Sequence, residues 1–107
     1  MNSQFKKGVL EIIVLSLMSN KDEYGYSLFR YINNKINIAE GTLYPLLRKM
    51  VKENLLSVYY QESKEGPARK YYRLTYDGKK KLQSLIIEWS EFSDGVDYFI
   101  QRGKTYE

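Results

Sequence analysis

Residues 41–56, GTLYPLLRKMVKENLL, constrain the fold most, because their apolar side chains recur with the period of an α-helix, about 100° per residue. The apolar face consists of Leu43, Leu46, Leu47, Met50 and Val51. The opposite face consists of Pro45, Arg48, Lys49 and Lys52. Because Pro45 has no N–H to donate, it fits only the first turn, which places the helix start near Gly41 or Thr42. The stretch therefore predicts an amphipathic helix with a basic outer face.

The segment after this helix changes from helical to alternating periodicity. Asn54 is a plausible helix stop, and a first strand alternates through Leu56, Val58 and Tyr60. Tyr72 and Leu74 alternate on a second strand, and the residues 63–68 between them, SKEGPA, have turn composition. The pattern predicts a β-hairpin whose tip carries Lys64, Arg69 and Lys70. A basic tip beside a basic helix favours a nucleic-acid contact, although a merely solvated loop has the same composition.

Two further helices are predicted upstream. Residues 5–18 have helical spacing but are apolar around most of the circumference, so this helix needs cover on several sides, and a second protomer is one such cover. A buried strand over residues 12–18 is the rival interpretation. A second helix over residues 24–34 has Asp22 as its candidate N-cap and Leu28 and Ile32 as its core residues. Ile36 and Ile38 then alternate as in a short strand, which leads into the central helix and completes a helix-turn-helix.

The C-terminal segment predicts a long helix over residues 76–102, with Thr75 as its N-cap. Its apolar residues alternate at intervals of three and four, as in a heptad repeat, and they are Leu82, Leu85, Trp89, Phe92, Val96 and Phe99. A helix of about 40 Å is too long to lie wholly on so small a domain, so this seam is expected to pack on another subunit. The predicted fold class is mainly α with a small β hairpin. A winged helix-turn-helix DNA-binding domain occupies residues 1–75 and a C-terminal dimerisation helix occupies residues 76–107.

Composition narrows the function. The sequence contains no Cys and no His, which removes thiol nucleophiles, imidazole and thiolate metal ligands and the usual near-neutral general base, so neither an enzyme nor a metal or cofactor site is expected. Residues 40–81 hold ten Lys or Arg against five acids, whereas residues 82–107 hold two against five. This asymmetry is typical of a nucleic-acid footprint, although solvated surfaces also show it. With no apolar run long enough to span a bilayer and no signal-peptide pattern, a soluble cytoplasmic protein without membrane contact is expected.

Three motifs, EYGYSLFRYI, EGTLYPLLRKM and GPARKYYRLTYDG, resemble the PadR family of bacterial winged-helix regulators in order and spacing, over residues 5 to about 85. The resemblance implies a homodimer that binds pseudo-palindromic operator DNA, usually to repress, with the GTLYP-type helix in the major groove and the wing on the flanking backbone. It also implies that the last helix dimerises, in part against the first helix of the partner.

The resemblance and the charge pattern together assign the site residues. The residues expected to bind DNA are Thr42, Tyr44, Arg48, Lys49, Lys52, Lys64, Arg69 and Lys70. Among them, Arg48 and Lys49 are expected to contribute operator preference, and Arg69 and Lys70 mainly salt-sensitive affinity. The residues expected at the dimer interface are Val9, Ile13, Leu82, Leu85, Trp89, Phe92, Val96 and Phe99.

The chain is similar to short-tailed members of this family, some of which bind flat aromatic drugs between paired tryptophans at the dimer centre. Trp89 and Phe92 are therefore candidate effector-binding residues, and a small aromatic ligand is a candidate partner. Gly95 and two acids in the tail are expected either to narrow such a cavity or to suit a cationic ligand. The competing interpretation is that Trp89 packs in the seam between the two helices and binds no ligand. For the whole chain, the alternative function is a winged-helix module for protein association that binds DNA without sequence preference.

Overall fold

The computed structural model describes the backbone of residues 3–106 and the side chains of residues 8–104. In chain order the elements are α1 (Ser3–Asn20), β1 (Glu23–Tyr24), α2 (Gly25–Asn33), α3 (Glu40–Lys52), β2 (Leu56–Ser63), β3 (Gly66–Leu74) and α4 (Tyr76–Tyr106). The strands form an antiparallel sheet in the order β1-β3-β2. This architecture confirms the predicted mainly α, winged helix-turn-helix fold. Within residues 3–106, no helix combines enough length and apolar character to cross a membrane.

Helix α1 is covered largely by its own chain. Leu10, Val14, Leu15 and Met18 are buried in the common core, so the strand interpretation of residues 12–18 is wrong. Val9 and Ile13 are half-buried on the flank of the same helix. The apolar circumference of the described side chains is thus explained mostly by packing within the protomer, and this flank remains partly accessible for contact with a partner.

The helix-turn-helix is formed by α2, a loop at residues 34–39, and α3. Leu28 and Ile32 are buried as predicted, and Ile38 is buried within the loop, but residues 36–38 do not form a strand. The side-chain oxygen of Asn33 accepts the backbone N–H of Ile38 at 2.9 Å, which fixes the loop without a β ladder. Alternation over three residues was too short to separate a strand from such a loop.

The prediction that Asp22 caps α2 is wrong. Tyr24 occupies the N-cap position and makes no side-chain capping bond, because residues 23 and 24 pair with β3 instead. Asp22 accepts a hydrogen bond from the Tyr59 hydroxyl at 2.8 Å and one from Arg73 Nε at 3.2 Å. It therefore attaches the start of the helix-turn-helix to both strands of the wing.

The wing hairpin is longer and its turn tighter than predicted. The strands run to Ser63 and resume at Gly66, so the turn consists of Lys64 and Glu65 rather than of residues 63–68. A register irregularity near Ser63 accommodates this turn. Arg69 and Lys70 consequently lie within β3, and among the three predicted tip cations only Lys64 is in the turn.

The end of α3 and the start of α4 are locked together. Asn54 adopts φ 63°, the left-handed conformation that ends a helix, and the N–H of Leu55 donates to the carbonyl of Met50 at 2.9 Å, as in a Schellman motif. The Thr75 hydroxyl donates to the Asn54 carbonyl at 2.6 Å and accepts the N–H of Gly78 at 2.9 Å. Thr75 is thus the N-cap of α4, as predicted, and it also fixes α4 to the end of α3.

Helix α4 extends well beyond the compact core. Its length is about 45 Å at 1.5 Å per residue, and the chain measures 61 × 27 × 21 Å along its principal axes. Leu82 is buried and Leu85 packs against the core. The remaining seam residues are exposed on the single chain, with exposed fractions of 40% for Trp89, 62% for Phe92, 40% for Val96 and 72% for Phe99. The helix therefore begins as part of the core and ends as an uncovered apolar arm.

Candidate nucleic-acid interface

Helix α3 presents its basic residues on the side opposite the core. Leu43, Leu47 and Met50 have no accessible surface, which fixes the rotation of the helix about its axis. Arg48 and Lys49 are exposed, as predicted, and Lys52 is exposed in the last turn. Thr42 and Tyr44 are half-buried on the two flanks. A helix held by one apolar face and exposed along a basic face has the geometry needed to enter a major groove.

The flank of α3 that carries Tyr44 opens into a cleft between α2, α3 and β3, which we call the tyrosine cleft. It has a volume of about 350 Å³ and is lined by Tyr24, Gly25, Tyr26, Tyr44, Arg48, Lys70 and Tyr72. Its lining therefore contains four phenol rings and two cations, and none of these side chains is acidic. Arg48 and Lys70, from two different elements, face the same cavity.

Gly25 makes the close packing behind this cleft possible. A Cβ atom at this position would lie 3.3 Å from Tyr72 Cε2 and 3.4 Å from Tyr44 Cε1, so only glycine leaves the two rings their present positions without displacement. The Tyr44 ring also stacks on Phe29, with the ring centres 6.4 Å apart. Burial, reinforced by the nearby Glu40, raises the pKa of Tyr44 above its ordinary value. The hydroxyl of Tyr44 therefore stays protonated at neutral pH and remains a hydrogen-bond donor.

The outer face of the sheet carries a row of stacked rings with an arginine at each end. Tyr24, Tyr71 and Tyr59 are direct neighbours across the three strands. The Tyr59 and Tyr71 rings stack with centres 5.5 Å apart, and Tyr71 lies 6.0 Å from Tyr24. The Arg69 guanidinium lies 5.0 Å from the centre of Tyr24, and that of Arg73 lies 4.8 Å from the centre of Tyr59. These contacts hold Arg69 in a defined position beside the cleft.

The Asp22 carboxylate completes this row at the Arg73 end. Its hydrogen bond raises the pKa of Tyr59 above the ordinary value, since the bond favours the protonated phenol. The wing is therefore attached to the helix-turn-helix through rings and a carboxylate as well as through the β1 ladder.

Lys49 lies apart from the tyrosine cleft. It lines a separate groove of about 340 Å³ between α1 and α3, together with Gly8, Glu11, Pro45 and Leu46. Arg48 and Lys49 were given the same role in the sequence analysis, but the structure places them on opposite flanks of the exposed face. Arg48 lies on the side of the wing, and Lys49 lies on the side of α1.

Sequence reasoning missed Tyr24, Tyr26 and Tyr72 as lining residues of this surface. They were missed because β1 contains only two residues, too few to show a period, so nothing placed the YGY segment beside β3. The useful signal was the abundance of tyrosine in EYGY and KYYR, two segments that flank a predicted basic site.

The family model for the PadR-like transcriptional regulators matches residues 14–84, about two thirds of the chain. The chain belongs to this PadR-like family. The match covers the helix-turn-helix, the wing and the beginning of α4. As a member of a family of transcriptional regulators, the PadR-like chain is a DNA-binding regulator, in agreement with the prediction that it is not an enzyme.

Similar proteins extend the likeness over nearly the whole PadR-like chain. An uncharacterized protein from Lysinibacillus sphaericus is 37% identical over 103 residues, which cover 92% of this chain and 94% of the relative. The crystal structure of a PadR-like transcriptional regulator from Bacillus cereus is 37% identical with a TM-score of 0.82, covering 92% of this chain and 97% of that one. The crystal structure of a PadR family transcription regulator from Clostridium difficile is 33% identical with a TM-score of 0.77, covering 84% of this chain and 96% of that one. The likeness therefore includes the long C-terminal helix as well as the wing.

Proposed function

We propose that this PadR-like regulator acts as a homodimeric repressor, with α3 of each protomer in the major groove of one operator half-site. The observation that carries the proposal is the basic face of α3, exposed beside a wing that also presents cations. Phosphate contacts supply most of the affinity in such complexes, and a few side chains on the helix supply sequence preference.

The division of the chain into a DNA-binding domain over residues 1–75 and a dimerisation helix over residues 76–107 is part of this proposal. The exposed aromatic residues of α4 support it, since an uncovered apolar seam of this length is costly in water. Val9 and Ile13, half-buried on α1, offer a second contact for the α4 of the partner. Leu82 belongs to the core of its own protomer and contributes to dimerisation by fixing the direction of α4.

Lys49 and Arg69 are expected to differ in the kind of binding they contribute. Because Lys49 projects from the helix in the groove, Lys49→Ala should cost roughly 1 to 3 kcal/mol on the operator and much less on a scrambled duplex. Arg69→Ala should weaken binding to both duplexes and reduce the slope of log affinity against log salt by about 1, because Arg69 contacts phosphate. Operator fragments are first selected from genomic DNA with the wild type, and both variants are then titrated at several salt concentrations.

The matched control is Lys104→Ala, which removes one exposed positive charge near the far end of α4. It should leave both affinities within about twofold of the wild type, since it lies more than a Debye length from the bound groove. If Lys49→Ala and Arg69→Ala each weaken binding equally on the operator and on the scrambled duplex, the distinction between a base contact at Lys49 and a phosphate contact at Arg69 is wrong. A wild type that selects no sequence at all would favour the alternative function, a protein-association module.

The effector part of the proposal concerns Trp89 and Phe92. Both side chains are exposed on the single chain and lie three residues apart on the seam. In a two-fold dimer, copies of these rings would face one another, and a flat aromatic or cationic compound between them gains about 0.5 to 1.5 kcal/mol per stacked ring. Since α4 is fixed to the end of α3 through Thr75 and Asn54, a change in the angle between the two α4 helices would move the reading helices apart.

Trp89 is the single tryptophan in the sequence, so fluorescence excited at wavelengths where the eleven tyrosines do not absorb reports on this site alone. We expect flat aromatic dyes to quench it saturably, and dye binding to disappear in a Trp89→Ala variant whose sedimentation shows that it remains a dimer. If a broad panel of aromatic compounds leaves the fluorescence unchanged, or if dye binding survives the substitution, Trp89 only packs and any effector binds elsewhere.

A further inference from the structure

We propose that the tyrosine cleft is a seat for one phosphate group, held by Arg48 and Lys70 and by tyrosine hydroxyls of the lining. This inference deepens the proposed function and rests on it, because it assigns a defined backbone phosphate to each half of the bound DNA. It also gives Arg48 a different role from that expected from the sequence, since it makes Arg48 a phosphate ligand rather than a reader of bases.

The charge of the cleft suits an anion. Arg48 comes from α3 and Lys70 from β3, yet both line the same cavity, whose lining contains no carboxylate. Among the described residues, ion pairs of 4.0 Å or less join only Lys21 to Glu23 and Arg73 to Asp22. Two cations that line one cavity and have no carboxylate beside them in its lining repel each other, and an anion between them converts this repulsion into attraction.

The side chains that line the cleft also supply hydrogen-bond donors. Tyr24, Tyr26 and Tyr44 each bring a hydroxyl that can donate to an oxyanion, and a phosphate oxygen accepts several such bonds. An aromatic face also orients one of the two cations, because Lys70 Nζ lies 5.5 Å from the centre of the Tyr72 ring. The cleft therefore contains both the charge and the hydrogen-bond donors that a phosphate requires, and they come from four separate elements.

The size and position of the cleft also fit a phosphate of the DNA backbone. A volume of about 350 Å³ corresponds to roughly ten water molecules at about 30 Å³ each, enough for a phosphate and its flanking sugar atoms. The cleft lies between the exposed face of α3 and strand β3 of the wing. If α3 enters the major groove and the wing follows the flanking DNA backbone, the DNA strand between these two contacts passes over the cleft.

The test combines substitution in the protein with neutralisation of single phosphates in the DNA. A set of operator duplexes is made with one methylphosphonate each, and each is titrated with wild type and with Arg48→Ala, whose exposed side chain can be removed without disturbing the core. For the wild type we expect one position in each half-site at which neutralisation weakens binding by about tenfold or more, as for loss of a charge-assisted hydrogen bond. On the duplex neutralised at that position, Arg48→Ala and Lys70→Ala should lose little further affinity. The phosphate that these two side chains are proposed to bind has already lost its charge there.

Lys52→Ala is the matched control. Lys52 is an exposed cation on the same helix but does not line the cleft, so this variant should remain fully sensitive at the same methylphosphonate position. Suppose that the wild type still prefers the operator, but the fold loss of affinity from Arg48→Ala multiplies with the fold loss from every methylphosphonate. In that case the phosphate seat is wrong and the proposed function stands. If the wild type prefers no duplex, the proposed function is wrong, and the free-phosphate experiment below decides the seat alone.

The same chemistry can come from the DNA backbone or from a free phosphate. Inorganic phosphate is therefore titrated into the DNA-free protein, and the tyrosine ring signals are followed by NMR. A saturable shift that is absent in an Arg48→Ala, Lys70→Ala double variant shows a seat that accepts phosphate from either source. If free phosphate causes no shift but one methylphosphonate position shows the expected loss of affinity, the seat binds phosphate only as part of the DNA backbone. Absence of both effects overturns the inference.

Discussion

Replacing Phe92 by glutamate is expected to convert the dimer into monomers while leaving the protomer folded. Phe92 is 62% exposed on the single chain and is not part of its core, so a carboxylate there meets water as long as the protein is monomeric. In the proposed dimer the same carboxylate would be buried on an apolar seam, which costs several kcal/mol. Since each tenfold change in a dissociation constant corresponds to about 1.4 kcal/mol, the dissociation constant of the dimer should rise roughly a hundredfold or more.

Sedimentation equilibrium at micromolar concentration measures this result, and circular dichroism checks that the variant retains its helices. The control is Ile87→Glu, which introduces the same charge at a residue 59% exposed that lies off the seam. Ile87→Glu should retain the mass of the wild type. A wild type that is itself monomeric, or a Phe92→Glu variant with unchanged mass, would contradict the assignment of the seam.

The second large effect is expected from Gly78→Ala at the junction of α3 and α4. A Cβ atom on residue 78 would overlap the carbonyl oxygen of Leu55 and lie 2.6 Å from Cδ1 of Leu74. The carbonyl belongs to the backbone and already accepts the N–H of Thr75 at 3.2 Å, so it cannot move aside without breaking the junction. We expect the free energy of unfolding to fall by at least about 2 kcal/mol, in the upper part of the range for overpacking.

Urea unfolding at one fixed protein concentration measures this change, since dimerisation makes stability dependent on concentration. Gly41→Ala is the matched control, because Gly41 also lies in the first turn of a helix but has open space where its Cβ would be. That variant should be as stable as the wild type or gain up to about 1 kcal/mol from the better helix propensity of alanine. Equal stability of Gly78→Ala and wild type would show that α4 is not packed against the end of α3 as described.

Gly78 also has a role in the proposed effector response. The bonds of Thr75 to the carbonyls of Asn54 and Leu55 attach the start of α4 to the end of α3. If an effector between two copies of α4 alters their angle, the change reaches α3 through this junction. A Gly78→Ala variant that still folds should therefore respond less to an effector than the wild type does.

The sequence predicted the elements whose period extends over two turns or more. The apolar face of α3 and the core residues of α2 lie where the helical period placed them, since burial of Leu28, Leu43 and Leu47 leaves one rotation for each helix. Asn54 and Thr75 were also identified, because local chemistry at a helix end does not depend on the rest of the fold.

What the sequence did not predict depends on pairing between distant segments. Strand β1 has two residues and exists only because β3 offers its edge, so no local pattern could indicate it. The separation of Arg48 from Lys49 likewise follows from what packs on either flank of α3, the wing on one side and α1 on the other. Asp22 was predicted as a helix cap because its partners, Tyr59 and Arg73, are remote in the sequence.

We propose that two copies of α3 occupy two major-groove half-sites of one operator. Because the chain has no cysteine, Gly41→Cys places a single thiol at the exposed start of α3, where a side chain meets no other atom within 4 Å. An iron chelate attached there cuts nearby DNA, and Asp94→Cys, exposed on α4 off the seam, is the control. We expect Gly41→Cys to cut selected operator DNA at two symmetric centres about 34 to 36 Å apart, or a multiple of that spacing, and Asp94→Cys not to cut at these centres. A single centre, or cuts scattered evenly along the duplex, would contradict the claim.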